Sequence, residues 1–173
     1  LGSLLNPARS LAANLVDRPA LATAMQQTLA QEATTEGHEA AVVAQGLAKA
    51  AALLAGHYQL VITNVPYLAR GKQGIVLREF FEAQHPAAKN DLATVFLDRC
   101  LELCAGGGTA SVVLPQNWLF LTSYKNFREE LLKKNTWHLI ARLGPGAFET
   151  ISGEVVKAIL FTLSRGSASK SPR

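Results

Sequence analysis

The group Asn64-Val65-Pro66-Tyr67 is the part of the chain whose residue types are best suited to chemistry. It offers a carboxamide, a backbone carbonyl next to a rigid proline, and an aromatic ring. Together these groups can hold a planar, amino-bearing molecule by its edge and its face. The apolar run Tyr58–Thr63 precedes them and predicts a parallel strand covered on both faces. Because open α/β sheets bind ligands where strands end, we expect the four residues to line a binding site.

The tetrapeptide closely resembles the Asn-Pro-Pro-Tyr signature of amino-group methyltransferases, with Val65 in place of the first proline. Later segments resemble successive parts of N6-adenine DNA methyltransferases, especially the large enzymes of restriction and phage-defence systems: Asn90–Phe96, Gly106–Thr109, Ser111–Pro115, Phe120–Ser123 and Phe127–Leu132. The resemblance covers residues 57–163. It implies S-adenosylmethionine as cofactor, DNA as partner and an α/β fold, namely a partial Rossmann-like S-adenosylmethionine-dependent methyltransferase sheet with an N-terminal helical segment.

The resemblance also implies a role for each residue of the signature. In the family, the amino hydrogens are accepted by the asparagine side chain and the next carbonyl, which here belong to Asn64 and Val65. Two acceptors free the nitrogen lone pair, and both bonds strengthen as positive charge develops. Pro66 restricts the backbone of Val65, and Tyr67 would stack on a base flipped out of the duplex. The alternative is that these residues form only a turn at a strand end.

Three further residues are candidates for contacting the substrate. Phe148 lies where the family places a second aromatic against the flipped base, although a buried core position would explain it equally well. Arg70 and Lys72 lie among glycines just after the signature and could hold DNA phosphates. A solvated charged loop is the alternative for these two cations.

The cofactor motifs of the family are missing from residues 1–56. The family uses a glycine-rich turn and an acidic residue upstream of the signature, whereas Gly2, Gly37, Gly46 and Gly56 are isolated. The chain also opens on Leu1. We therefore expect a fragment that carries the substrate half of the enzyme, with an N-terminal half or a specificity domain as a missing partner. No residue is assigned to the cofactor, and no metal-ligand cluster is evident.

Composition favours a globular protein with a polyanionic partner. The 173 residues suit about one domain, and the net charge is +4. Cys100 and Cys104 have no second ligand pair, so buried free thiols are favoured over a zinc site. This cysteine usage and the lack of a long apolar run predict a soluble cytoplasmic protein without a membrane partner.

The elements that position the signature follow from periodicity and capping. We expect a helical segment over 1–56, with a helix at Glu39–Ala55, the methyltransferase segment over 57–163, and a disordered tail over 164–173. Asp91 or Asn90 is expected to cap a helix that buries Val95 and Cys100 and exposes Arg99. The glycines at 106–108 should end that helix, and a strand should begin at Thr109. Trp137–Leu143 and Val155–Leu163 are expected to pair antiparallel.

Two other functions remain open at this point. One is methylation of a different amino group, in RNA guanine or protein glutamine, since those enzymes carry a similar signature. The other is a non-catalytic remnant or binding module, which the missing cofactor motifs favour.

Overall fold

The computed structural model describes residues 2–9, 27, 35–143 and 157–166. These residues fall into two compact units, Leu1–Gly56 and His57–Arg173. The first unit contains short 3-10 turns at Gly2–Leu4 and Pro7–Arg9 and the helix α1 at Thr35–Ala55. The helix expected from Glu39 onward is thus confirmed and begins four residues earlier. Among the described helices, none is both long and apolar enough to span a bilayer.

The described residues of the second unit form a four-stranded mixed sheet with helices between its strands. Its elements are β1 (Tyr58–Asn64), α2 (Ile75–Gln84), α3 (Leu92–Leu103), β2 (Cys104–Pro115), α4 (Lys125–Lys134), β3 (Asn135–Arg142) and β4 (Ala158–Arg165). The strand order is β1-β2-β4-β3, with β1 parallel to β2 and β4 antiparallel to both of its neighbours. The α/β class and the antiparallel pairing of the last two strands are therefore confirmed.

One face of this sheet forms the core of the unit. Alternate residues of β2 and β4 are fully buried: Ala110, Val112, Leu114, Ile159, Phe161 and Leu163. Phe161 lies in an aromatic cluster, with ring centroids 4.8 Å from Trp137 and 5.4 Å from Trp118. Helix α4 adds Phe127 and Leu131 to the buried set. Strand β1, which carries the signature at its carboxyl end, joins this sheet by pairing with β2.

The opposite face of β1 is open, contrary to the expectation of a strand covered on both sides. Leu60 is 57% exposed and Ile62 is 71% exposed, whereas the alternating residues Val61 and Thr63 are half-buried. Successive side chains of a strand point to opposite faces, so the described residues cover only one face of β1.

We expected the glycine run to separate α3 from the next strand. It lies inside β2 instead. Helix α3 passes directly into β2 at Cys104, and the pairing with β1 jumps from Tyr58↔Cys104 to Leu60↔Thr109. A bulge absorbs the extra residues, with Gly107 at φ 77°. Gly108 approaches β1 so closely that a Cβ atom there would lie 2.6 Å from the Tyr58 carbonyl oxygen.

Two other expectations were wrong in detail. Arg99 is buried, and its Nη1 lies 3.0 Å from Glu102 Oε2, because the buried surface of α3 is wider than one stripe. The tail begins later than residue 164, since Ser164 and Arg165 belong to β4. Hydrogen bonds replace apolar burial there: Arg165 Nη1 donates to the Cys104 carbonyl at 2.6 Å, and the Ser164 and Thr109 hydroxyls are 2.8 Å apart. Residues 167–173 lie outside the described part.

Candidate functional site

The signature lies where the sequence predicted it, at the carboxyl end of β1. Asn64 is the last residue of the strand and pairs in register with Val113 of β2, so the ends of two parallel strands meet beside it. The Asn64 side chain is exposed, and Pro66 is exposed as well. Val65 between them is only 5% exposed and anchors the turn in the core. The arrangement presents the Asn64 carboxamide at the edge where α/β sheets bind ligands.

Tyr67, three residues after Asn64, is half-buried. Burial raises the pKa of the Tyr67 phenol, and the nearby Asp91 carboxylate raises it further. The side chain is therefore neutral at physiological pH, because a phenol already ionises only near pH 10. Its available chemistry is that of an aromatic face with a neutral hydroxyl, and not that of a base.

Asp91 holds the residue after Tyr67 to the start of α3. Its carboxylate caps the helix as expected, accepting from the Ala93 N–H at 2.8 Å. The same oxygen also accepts from the Leu68 N–H at 3.3 Å. The second bond escaped sequence reasoning, because 23 residues separate its partners and a cap alone explains an aspartate at this position.

The two candidate phosphate-binding cations differ in their surroundings. Arg70 forms an ion pair with Glu82, and Lys89 Nζ lies 3.7 Å from the same carboxylate oxygen. These cations lower the pKa of Glu82, with the Arg70 hydrogen bond as the main cause. Lys72 is exposed in the 3-10 turn Arg70–Lys72. A phosphate would have to compete with Glu82 for Arg70, whereas it could meet Lys72 directly.

Phe148, the other candidate for contacting a base, lies outside the described residues. Among the described residues, a cavity of about 600 Å³ lies between α4 and β3. Leu132, Trp137 and Ile140 line its apolar wall, and Arg142 contributes a cation. Signature residues do not line this cavity, so it is separate from the site at the end of β1.

The two cysteines and the glycine run lie in α3 and β2. Cys100 and Cys104 are free and buried, as predicted, and burial raises the pKa of the Cys100 thiol to about 12. The run Gly106–Gly108 lies within β2, with Gly106 and Gly107 exposed, so it does not form the strand-to-helix turn that binds a nucleotide cofactor.

One cluster has the composition of a metal site. His85, Asp98 and Glu102 place their ligand atoms within 4.8 Å of one another. Each already has a protein partner, since His85 Nδ1 lies 2.7 Å from Asp98 Oδ2 and Glu102 pairs with the buried Arg99. These contacts explain the cluster as part of the packing between α3 and the residue that follows α2.

Comparison with known proteins connects this geometry to a family. The chain is 36% identical over 114 residues to the adenine-specific methyltransferase PglX of Lacticaseibacillus casei (strain Zhang), which is 65% of this chain and 9% of the relative. It is 35% identical over 135 residues to the adenine-specific methyltransferase BrxX of Escherichia coli O9:H4 (strain HS), covering 78% of this chain and 11% of the relative. The chain thus spans about a tenth of the length of these relatives.

The fold is also found among solved structures. A putative class I S-adenosylmethionine-dependent methyltransferase from Listeria monocytogenes aligns with a TM-score of 0.50 and 11% identity, covering 90% of this chain and 61% of that one. The expected methyltransferase-type sheet is therefore confirmed. The model of the Eco57I restriction-modification methylase family matches residues 11–148, a span that includes the signature and most of the sheet. The chain belongs to the Eco57I restriction-modification methylase family.

Proposed function

We propose that the chain forms the substrate half of an adenine-N6 DNA methyltransferase that uses S-adenosylmethionine. One observation carries the proposal: the exposed Asn64 carboxamide lies at the carboxyl end of β1, and the half-buried Tyr67 ring follows three residues later. An edge acceptor and an aromatic face at this place suit a flipped adenine.

In the proposed reaction, Asn64 and the Val65 carbonyl accept hydrogen bonds from the two hydrogens of the adenine amino group. These bonds favour a pyramidal nitrogen whose lone pair is free to attack, and they strengthen as the nitrogen becomes positive. Tyr67 stacks on the base and offsets part of the cost of flipping, since one stacked base contributes about 1–3 kcal/mol. S-adenosylmethionine, when bound, supplies the methyl group.

Relatives and charge support DNA as the substrate. Both relatives described above are named adenine-specific methyltransferases, and the matching family is one of restriction-modification methylases. The net charge of +4 suits a polyanion. Exposed Lys72, close in sequence to the signature, is the cation best placed to meet a phosphate, with Arg70 available if its pair with Glu82 opens.

Donor binding, in this proposal, depends mainly on parts of a full-length protein outside the described sheet. The sequence of residues 1–56 shows no evident glycine-rich motif, and the run of three glycines lies within β2. In this proposal a specificity domain also lies outside this chain, because the chain covers only a small share of each relative.

The test is a methyl-transfer assay on a full-length protein that contains this chain. With a radiolabelled methyl donor, label should appear at adenine N6 of duplex DNA and not in RNA or peptide. Asn64→Ala should lose roughly a hundredfold or more in rate, the usual effect of removing one transition-state hydrogen-bonding group. Duplex affinity, measured by fluorescence anisotropy, should hardly change.

Asn126→Ala is the matched control, because Asn126 is an exposed asparagine on α4. It should leave the rate unchanged. Label in RNA guanine or protein glutamine would show that the substrate is one of these groups and not adenine. A folded full-length protein that methylates none of the three would support a non-catalytic binding module. Full turnover by Asn64→Ala would remove Asn64 from the mechanism.

A further inference from the structure

The segment that follows Tyr67 is held by three hydrogen bonds on a single residue. The Leu68 N–H donates to Asp91 Oδ1 at 3.3 Å, and the Leu68 carbonyl accepts from the Leu92 N–H at 3.1 Å and from Gln73 Nε2 at 2.9 Å. Both the N–H and the carbonyl of Leu68 are thus hydrogen-bonded, although Leu68 lies in no helix or strand.

The groups that hold Leu68 are themselves fixed. Asp91 is 9% exposed, and its carboxylate also caps α3 by accepting from the Ala93 N–H. Gln73 is 4% exposed, which is unusual for a glutamine outside regular structure. Backbone pairing continues on both sides, with an isolated bridge between Ala69 and Asp91 and a 2.9 Å bond from the Arg70 N–H to the Asn90 carbonyl.

This hydrogen bonding reaches Tyr67 through covalent geometry. The Leu68 N–H belongs to the same planar peptide unit as the Tyr67 carbonyl and the Tyr67 Cα atom. Fixing that N–H therefore fixes the plane from which the Tyr67 side chain departs. The direction of the Tyr67 ring also depends on the torsions about its own Cα and Cβ bonds, for which this peptide plane is the starting point.

We propose that Asp91 and Gln73 are positioning residues that set the direction of the Tyr67 ring through the backbone of Leu68. The proposal rests on the function proposed above, in which Tyr67 stacks on the target base. Misplacing a group by about 1 Å costs up to about a hundredfold in rate, so losing either contact should slow the chemical step. Duplex binding should be little affected, since neither side chain is available to meet DNA.

Three variants separate geometry from charge and from helix capping. Asp91→Asn keeps a side-chain oxygen that can accept from both Leu68 and Ala93. Asp91→Ser keeps the capping ability, but its hydroxyl is one bond shorter and cannot also reach Leu68. Gln73→Met keeps the length and burial of the side chain but removes the donor. Gln59→Met, at an exposed glutamine of β1, is the control.

The first measurement is kinetic and uses a full-length protein that contains this chain, with Asn64→Ala assayed in parallel. Asp91→Ser and Gln73→Met should lower kcat by about 10- to 100-fold with little change in KM for DNA, whereas Asp91→Asn and Gln59→Met should retain the parent kcat. Parent-like kcat in Asp91→Ser and Gln73→Met would overturn the proposal. So would an Asp91→Asn variant as slow as Asp91→Ser, because charge would then matter more than geometry.

The second measurement is independent of methylation. Amide hydrogen exchange of Leu68 in the 173-residue chain should be slow in the parent and in Asp91→Asn, and fast in Asp91→Ser. Equal protection in all three would overturn the proposal. If the parent enzyme transfers no methyl group to adenine, the proposed function fails, and the exchange experiment still decides whether Asp91 holds Leu68.

Discussion

At the scale of single residues, exposure separates the two main side chains of the signature. Asn64 is open to solvent at the end of β1, as an acceptor for a substrate must be. Tyr67 is half-buried, so its ring is held while one part stays accessible. Both residues were predicted from the signature, because its residue types are tied to their chemistry. Gln73 was not, because a buried glutamine has no local sequence pattern and its partner was visible only in the folded chain.

The proposed role of Tyr67 requires an aromatic face and not a hydroxyl. In a full-length protein, Tyr67→Phe should remain active, while Tyr67→Ala should bind a flipped or mismatched adenine about 1–3 kcal/mol more weakly. The fluorescence of 2-aminopurine at the target position reports flipping. If the parent and Tyr67→Ala gave the same fluorescence change and the same methylation rate, stacking by Tyr67 would have to be abandoned.

The two thiols should be unreactive in the folded chain. Because burial raises the pKa of Cys100 to about 12, only about one thiol in ten thousand would be ionised at pH 8. A thiol reagent should modify neither cysteine in the native protein and both in denaturant. Since the folded pKa lies above the unfolded value, the free energy of unfolding should also fall as the pH rises from about 9 to about 12. Rapid native labelling would contradict the buried placement.

At the scale of elements, most of the second unit could be anticipated from sequence. Apolar runs and caps predicted β1, α3 and the antiparallel pair β3 and β4 to within a few residues. The glycine run was misplaced, because glycines usually mark a turn and here form a bulge within β2. Arg99 was misplaced because periodicity alone does not reveal how wide the buried face of a helix is.

The bulge predicts a sharp difference between neighbouring glycines. A Cβ at Gly108 would lie 2.6 Å from the Tyr58 carbonyl oxygen, whereas a Cβ at Gly106 would meet nothing within 4 Å. Gly108→Ala should therefore lower the free energy of unfolding by about 1–3 kcal/mol, because the β1 backbone must shift. Gly106→Ala should change it by less than about 0.5 kcal/mol. Denaturant titration of both variants measures the difference, and equal stabilities would contradict this packing.

At the scale of the whole molecule, the family could be recognised from sequence because the signature, helix and strand segments occur in the right order. Its donor side could not be described, since residues 1–56 carry no pattern for it. We expect the 173-residue chain alone to bind S-adenosylmethionine weakly or not at all. Isothermal titration calorimetry should show no saturable heat at micromolar concentrations, in contrast to a full-length protein. Micromolar affinity would reveal a donor site that sequence reasoning missed.

The open face of β1 has a consequence for handling the chain in solution. Leu60 and Ile62 lie on a strand that, among the described residues, pairs along one edge only. A strand with apolar side chains and free backbone groups is a template for pairing with another copy. Concentrated samples of the chain by itself should therefore be prone to aggregation, and a lysine introduced on this face should keep them dispersed. The extent of aggregation in solution would then show how much of the sheet is covered, independently of any enzyme assay.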